Sequence, residues 1–246
     1  AYRRAPEQSA YIACWNSPYK DFCLDNLGKL MDEFGHGGWY LDGPEWPMPC
    51  DNESHGCGYV APDGSRRPTW DIFATRDFMQ RLYVLTRQRD PEGQLNIHNS
   101  TVMVIPTLGF GTSTWGGEQI DVIKSPAKTL DFLPMDSFRT EFMGRQWGVP
   151  SEFLVYDGQP YYAHDVIAYT LLHGVLIRPS GEEMLAQVSA LWKVYDEFPF
   201  EHGTIYPYWD NSDYLQVSPE GVYATAWQLP EKGLLVVVSN LADTDA

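Results

Sequence analysis

Asp42 closes the apolar run Gly38-Trp39-Tyr40-Leu41 and is followed at once by Gly43, while Glu118 follows Trp115-Gly116-Gly117. Cleaving a glycosidic bond usually takes two carboxyl groups. One attacks the anomeric carbon or activates water, and the other protonates the leaving oxygen. Asp42 and Glu118 are the leading candidates for that pair, because a carboxylate ending a barrel strand reads as catalytic. The competing readings are a turn aspartate for Asp42 and a solvated loop glutamate for Glu118. His98, in Ile97-His98-Asn99-Ser100, and Asp157, in Tyr156-Asp157-Gly158, also fall where strands should end. Both are candidates to bind substrate, against a core histidine and a turn aspartate. Trp46 and Trp115 lie among Gly, Pro and acidic residues, and Tyr40 lies two residues before Asp42. Exposed rings of this kind stack on the apolar faces of sugars, so all three join the substrate-binding set.

A second group has the donor types of a metal site. Cys50, His55 and Cys57 form Cys-x₄-His-x-Cys. Thiolate and imidazole are zinc ligands, but this spacing is not that of a standard zinc module and no fourth ligand is evident. A Cys50–Cys57 disulfide and a pair of free thiols are the alternatives. A metal-dependent hydrolase built on this loop therefore stands as a rival to the carboxylate enzyme, and a non-catalytic carbohydrate-binding barrel as another. The glycosidase reading itself requires no cofactor.

The elements that would position these groups alternate between strand and helix, the pattern of a parallel sheet. Strands are expected over about 11–15, 38–43, 95–98, 153–156 and 175–177, with a further strand ending at Trp115-Gly116-Gly117-Glu118. Helices are expected over about 20–34, 71–89, 135–147 and 162–173, and from a Ser180/Glu183 capping box to about 196. Residues 44–68 read as a long functional loop covering one side of the cleft. From about residue 203 the pattern turns antiparallel, with a hairpin from strands near 222–227 and 234–239. The expectation is an α/β fold: a partial (β/α)₈ TIM-type barrel over 1–202, then the start of a β-sandwich-like domain over 203–246. Eight strands would be needed and two are missing, so the sequence reads as part of a longer protein.

The composition supports a globular chain, with 246 residues and 43% hydrophobic content. A formal net charge of −16 argues against nucleic acid and against an anionic membrane surface. A neutral carbohydrate partner is compatible with it. No apolar run is long enough for a transmembrane helix, and no apolar h-region follows the first residues. Four cysteines are too few for a disulfide scaffold. They leave the compartment open, with a periplasmic or secreted setting preferred. The sugar, its linkage and the oligomeric state stay open.

The run Gly38–Gly43, Pro49-Cys50, His55-Gly56-Cys57-Gly58-Tyr59 and Asp63-Gly64 resembles bacterial glycoside hydrolase-like barrel proteins related to glycoside hydrolase family 123. Arg76, Arg81-Leu82-Tyr83, His98-Asn99-Ser100, Gly117-Glu118 and Leu171-Leu172-His173-Gly174 extend the likeness. So does the ending Leu235–Leu241, which is similar to the β-domain that follows such barrels. The resemblance implies that the first strand is about the third of a barrel, that Asp42 ends the fourth and that Glu118 ends the sixth. A carboxylate pair on those strands is similar to that of α-galactosidase-like barrels, which implies Asp42 as nucleophile and Glu118 as acid/base. The adjacent Asp-Glu pair that family 123 uses on N-acetyl sugars has no match at the expected strand ends, so that substrate class does not carry over.

Overall fold

The computed structural model describes residues 2–4, 8–10, 12–43, 46–100, 103–118, 120, 129–155, 163–179 and 181–242. They form two compact units, residues 1–114 and 115–246.

The first unit opens with an antiparallel pair, β1 (Tyr2–Arg4) and β2 (Gln8–Ala10). Helix α1 (Tyr19–Phe34) follows. Leu24, Gly28 and Met31 form its buried stripe, and Gly35 stops it in the left-handed region, where glycine carries no Cβ penalty. Strand β3 (Gly38–Leu41) comes next. The expected long loop then resolves into two small antiparallel pairs. β4 (Pro49–Cys50) pairs with β7 (Thr69–Trp70), and inside them β5 (Tyr59–Val60) pairs with β6 (Arg66–Arg67). Helix α2 (Ile72–Arg89) buries Thr75, Phe78, Met79, Leu82 and Thr86, the spacing of one helical face. α2 packs beside α1, where ion pairs of Asp32 with Arg89, Asp21 with Arg81 and Lys20 with Asp77 line the rim. These pairs are partly exposed and add little stability individually.

Strand β8 (Gln94–His98) lies parallel to β3, in the register Gly38↔Gln94 to Leu41↔Ile97. The approach is close enough that a Cβ on Gly38 would sit 2.3 Å from the Gln94 carbonyl oxygen. Trp15, Leu24, Leu41, Phe78, Met79, Leu82, Leu95 and Ile97 make the core of this unit. The short helix α3 (Ile105–Leu108) leads to β9 (Ser113–Gly116), whose first residues lie beside β8.

One expected strand is corrected. Residues 12–14 have no regular structure and Trp15 begins a turn. The Trp15 amide donates to the Asp71 carboxylate at 3.0 Å instead of joining a ladder.

The second unit begins within β9. It continues through the short helices α4 (Thr129–Phe132) and α5 (Met135–Glu141) to β10 (Ser151–Val155), helix α6 (Ala163–His173), β11 (Leu176–Pro179) and helix α7 (Glu182–Glu197). β10 and β11 are parallel, and β9 lies on the far side of β10. The helix expected over 135–147 ends at Glu141. Gly144 approaches Val149 too closely for any side chain, so a 3₁₀ turn (Gly144–Trp147) replaces the last helical turn. Ser180 lies outside the described residues, and α7 is preceded by Gly181 with no side-chain cap. Phe138, Phe153, Val166, Tyr169, Val175, Ile177, Met184 and Val188 form this unit's core.

β12 (Thr204–Tyr206), β13 (Val222–Leu229) and β14 (Gly233–Asn240) form the expected antiparallel sheet, with β13 in the middle. It packs on α6, where the Ser239 hydroxyl donates to the Ala168 carbonyl at 3.1 Å. The chain is thus mixed α/β, with parallel strands joined through helices and separate small antiparallel sheets before, among and after them. Among the described residues no helix is long and apolar enough to cross a membrane.

Candidate functional site

Asp42 and His98 are the residues next after the last paired positions of β3 and β8. Parallel pairing therefore carries both to the same edge of the sheet, at the carboxyl ends of the strands, where open α/β sheets place their ligands. Asp42 Oδ1 lies 3.2 Å from His98 Nδ1. A carboxylate can only accept, so Nδ1 carries the proton in this pairing. The Tyr40 hydroxyl lies 3.1 Å from the same nitrogen, with its ring stacked near the imidazole. The Asp42 side chain is 67% exposed while that of His98 is 10% exposed, so a fixed imidazole holds a carboxylate that faces solvent. Beside them, Asn99 Nδ2 and Ser100 Oγ are buried without a hydrogen-bond partner among the described residues.

Asp42 also borders a cavity of 360 Å³ whose walls include Trp15, Tyr19, Trp46, Met48 and Asp71. Trp46, expected to bind substrate, is therefore in the same cavity as Asp42. Trp15, Tyr19 and Asp71 carry no sequence signal of their own for this site. Asp71 organises the wall: its carboxylate accepts from the amides of Trp15 and Met48 and from the Thr75 hydroxyl. The Trp15 ring stacks flat on Phe78, with centroids 3.9 Å apart and planes 6° apart.

The 44–68 segment brings its thiols and imidazole together, and Cys14 joins them from outside it. One donor atom from each of Cys14, Cys50, His55 and Cys57 lies within 4.8 Å of every other. Cys14 and Cys57 have their sulfurs 3.7 Å apart, Cys57 Sγ is 3.5 Å from His55 Nδ1, and Cys50 Sγ is 3.8 Å from His55 Nε2. In this structure all four cysteines are free thiols, and Cys50 and Cys57 are not joined to each other. Burial pushes the Cys14 thiol up to about 12, opposed by a backbone hydrogen bond from Asn16 and reinforced by the neighbouring Cys57 and Cys50 thiols and the Asp71 charge.

In the second unit Glu118 is half-buried just past β9. Trp115 departs from expectation. It is 5% exposed, and the Arg178 guanidinium lies over its ring at 4.7 Å, so it offers no open stacking face. The reason is the backbone beside it: a Cβ on Gly117 would meet the Leu154 carbonyl oxygen at 2.7 Å, so that glycine marks close packing on β10 and not an open cleft. On β10, burial raises the pKa of Glu152, with the Arg178 charge opposing the shift. That is a perturbed carboxyl the sequence did not single out. Asp157 lies outside the described residues.

A cavity of 550 Å³ in this unit is bordered by Met143, His173, Tyr195, Phe200 and Trp227. His173 is buried. Its Nδ1 donates to the Tyr169 carbonyl at 2.7 Å, which leaves Nε2 to accept from the Tyr208 hydroxyl at 3.3 Å.

Compared with known proteins, the chain matches no protein-family model and no curated sequence.

Proposed function

We propose that the chain is a glycoside hydrolase whose parallel strands belong to a (β/α)₈ barrel and whose reaction depends on Asp42. The observation that carries this reading is the Asp42–His98 pair at the carboxyl ends of β3 and β8, of which Asp42 borders a cavity walled by Tyr19 and Trp46. A ligand with apolar faces and a rim of hydroxyls suits such walls, since the Tyr19 and Trp46 rings take the faces while Asp42 takes hydroxyls. The acidic chain, at −16, fits a neutral polymer better than a polyanion. The resemblance to family 123-related barrels points the same way.

In this reading Asp42 is the nucleophile, or stabilises the positive charge that develops at the anomeric carbon. His98 donates to one carboxylate oxygen and fixes the direction of the other. Glu118 is the acid/base. Trp46 and Tyr40 position the sugar.

The test is hydrolysis of a panel of chromogenic and natural glycosides by the chain and two variants. Asp42→Asn should abolish turnover on every substrate the parent cleaves. Glu118→Gln should spare substrates with very good leaving groups, which need little protonation, and lose unactivated ones. A parent inactive across the panel, or an Asp42→Asn variant that retains full activity, refutes the proposal.

A further inference from the structure

We infer that Cys14, Cys50, His55 and Cys57 form a structural Zn²⁺ site that ties the segment before α1 to the 49–70 segment. It is independent of the glycosidase reading. The geometry is that of a single tetrahedral ion. With Zn–S near 2.3 Å and Zn–N near 2.0–2.1 Å, the edges of the tetrahedron are about 3.5–3.8 Å long. The 3.7 Å between the Cys14 and Cys57 sulfurs and the 3.5 Å from Cys57 Sγ to His55 Nδ1 are such edges, while Cys50 Sγ lies 3.8 Å from the other ring nitrogen, Nε2, and completes a set in which one donor atom of each residue is within 4.8 Å of every other. Mutual distances within 4.8 Å for all four donors are too short for ligands spread around an iron–sulfur cluster, which leaves a mononuclear ion. Three sulfurs and one imidazole are a soft set that suits Zn²⁺ and disfavours Mg²⁺ or Ca²⁺.

The surroundings have the features of a ligand cage. Cys57 is buried between Gly56 and Gly58, both at positive φ, and a Cβ on Gly58 would press on the Arg67 carbonyl and the Asp51 backbone at 3.0 Å. Both flanks take a left-handed backbone that favours glycine, and at Gly58 the space is closed as well. Asn16 Nδ2 lies 3.5 Å from Cys57 Sγ and 3.1 Å from the His55 carbonyl oxygen, a donor aimed at a ligand sulfur from outside the tetrahedron. Arg66 donates to the Asp51 and Cys57 carbonyls and pairs with Glu53, holding the 51–57 turn from the other side.

Four protein ligands close the coordination sphere. A hydrolytic zinc keeps one position for water, so this ion does not activate water and the site does not make the chain a metallohydrolase. Its work is to cross-link. Cys14 precedes Trp15, which with Met48 is held by Asp71 in the wall of the Asp42 cavity. The ion therefore fixes that wall without touching it.

The test uses the chain purified under reducing conditions with zinc in the medium, and reads metal by elemental analysis and by Co²⁺ substitution. Zinc at one equivalent is expected, with tetrahedral thiolate–Co²⁺ absorption after exchange. Cys14→Ser should weaken Zn²⁺ binding by more than ~100-fold, since loss of an outer-shell partner alone costs about 10–100-fold. Cys23→Ser, which changes the one cysteine outside the cluster, should bind zinc like the parent. Should Cys14→Ser fail to fold, stripping and reloading the parent keeps the test alive: chelation should lower its Tm and Zn²⁺ restore it. A metal-free parent, a Cys14–Cys57 disulfide in the isolated protein, or a Cys14→Ser variant with parent affinity overturns the assignment.

Discussion

Asp42 Oδ1 lies 3.2 Å from His98 Nδ1, and the two residues face each other one step past the last paired positions of adjacent parallel strands. That placement gives His98 a role separable from that of the carboxylate. The imidazole is mostly covered and holds an exposed Asp42, so it orients a group that itself meets the substrate. On glycosides that the parent cleaves, His98→Ala should lower kcat by about 100-fold, the scale of a misplaced catalytic group, with a smaller effect on KM. His98→Gln, which can still donate a hydrogen bond, should recover part of the loss. Equal damage to kcat by both variants, with folding intact, would assign His98 more than positioning.

The core that carries Asp42 makes a second prediction. Phe78 is 1% exposed and stacks on Trp15, whose ring is also a wall of the cavity. Phe78→Ala should cost about 3–5 kcal/mol by loss of transfer energy and creation of a cavity. Denaturant unfolding of parent and variant reads the difference. A shift within about 0.5 kcal/mol, the range of ordinary surface substitutions, would mean that this stack is not part of the stabilising core.

The same helix shows what was legible in the sequence. The apolar residues of α1 and α2 recur at helical spacing, which places both helices to within a residue or two. β3 and β8, short apolar runs ending in polar residues, were equally plain, and their ends delivered Asp42 and His98 together. Tertiary contacts hid the rest. Residues 12–15 have a strand-like composition, yet the Trp15 amide is satisfied by a carboxylate from residue 71, which no local pattern encodes. Cys14 is a metal-ligand candidate only because the fold returns the Cys50–Cys57 turn to it across 43 residues. The glycines after Trp115 suggest an open loop, yet Gly117 admits the β10 backbone, a distinction that needs the neighbouring strand.

His173 makes the prediction that depends on pH. Burial lowers its pKa to about 4 from an ordinary value of 6.5, helped by the Arg139 charge and opposed by the hydrogen bond to the Tyr169 carbonyl. In the folded chain the ring is held neutral, with Nδ1 donating and Nε2 accepting. On unfolding it regains its ordinary affinity for a proton. Between pH 6.5 and about 4 the unfolded state thus binds more protons at this residue than the native state does. The stability it is linked to is complete above pH 6.5 and declines as pH falls through that window. Going from pH 7 to 5, the decline attributable to His173 should be about 2 kcal/mol. Other groups titrate over the same range, so the measurement is a comparison. Unfolding free energies of the parent and of His173→Gln, which cannot take up a proton, are determined at pH 7 and at pH 5. The variant should be less stable than the parent at pH 7, because it disturbs the Tyr169 and Tyr208 contacts. The gap should narrow at pH 5, where the parent alone pays for keeping an imidazole neutral. A gap that stays constant between the two pH values would show that His173 is not held neutral by its burial.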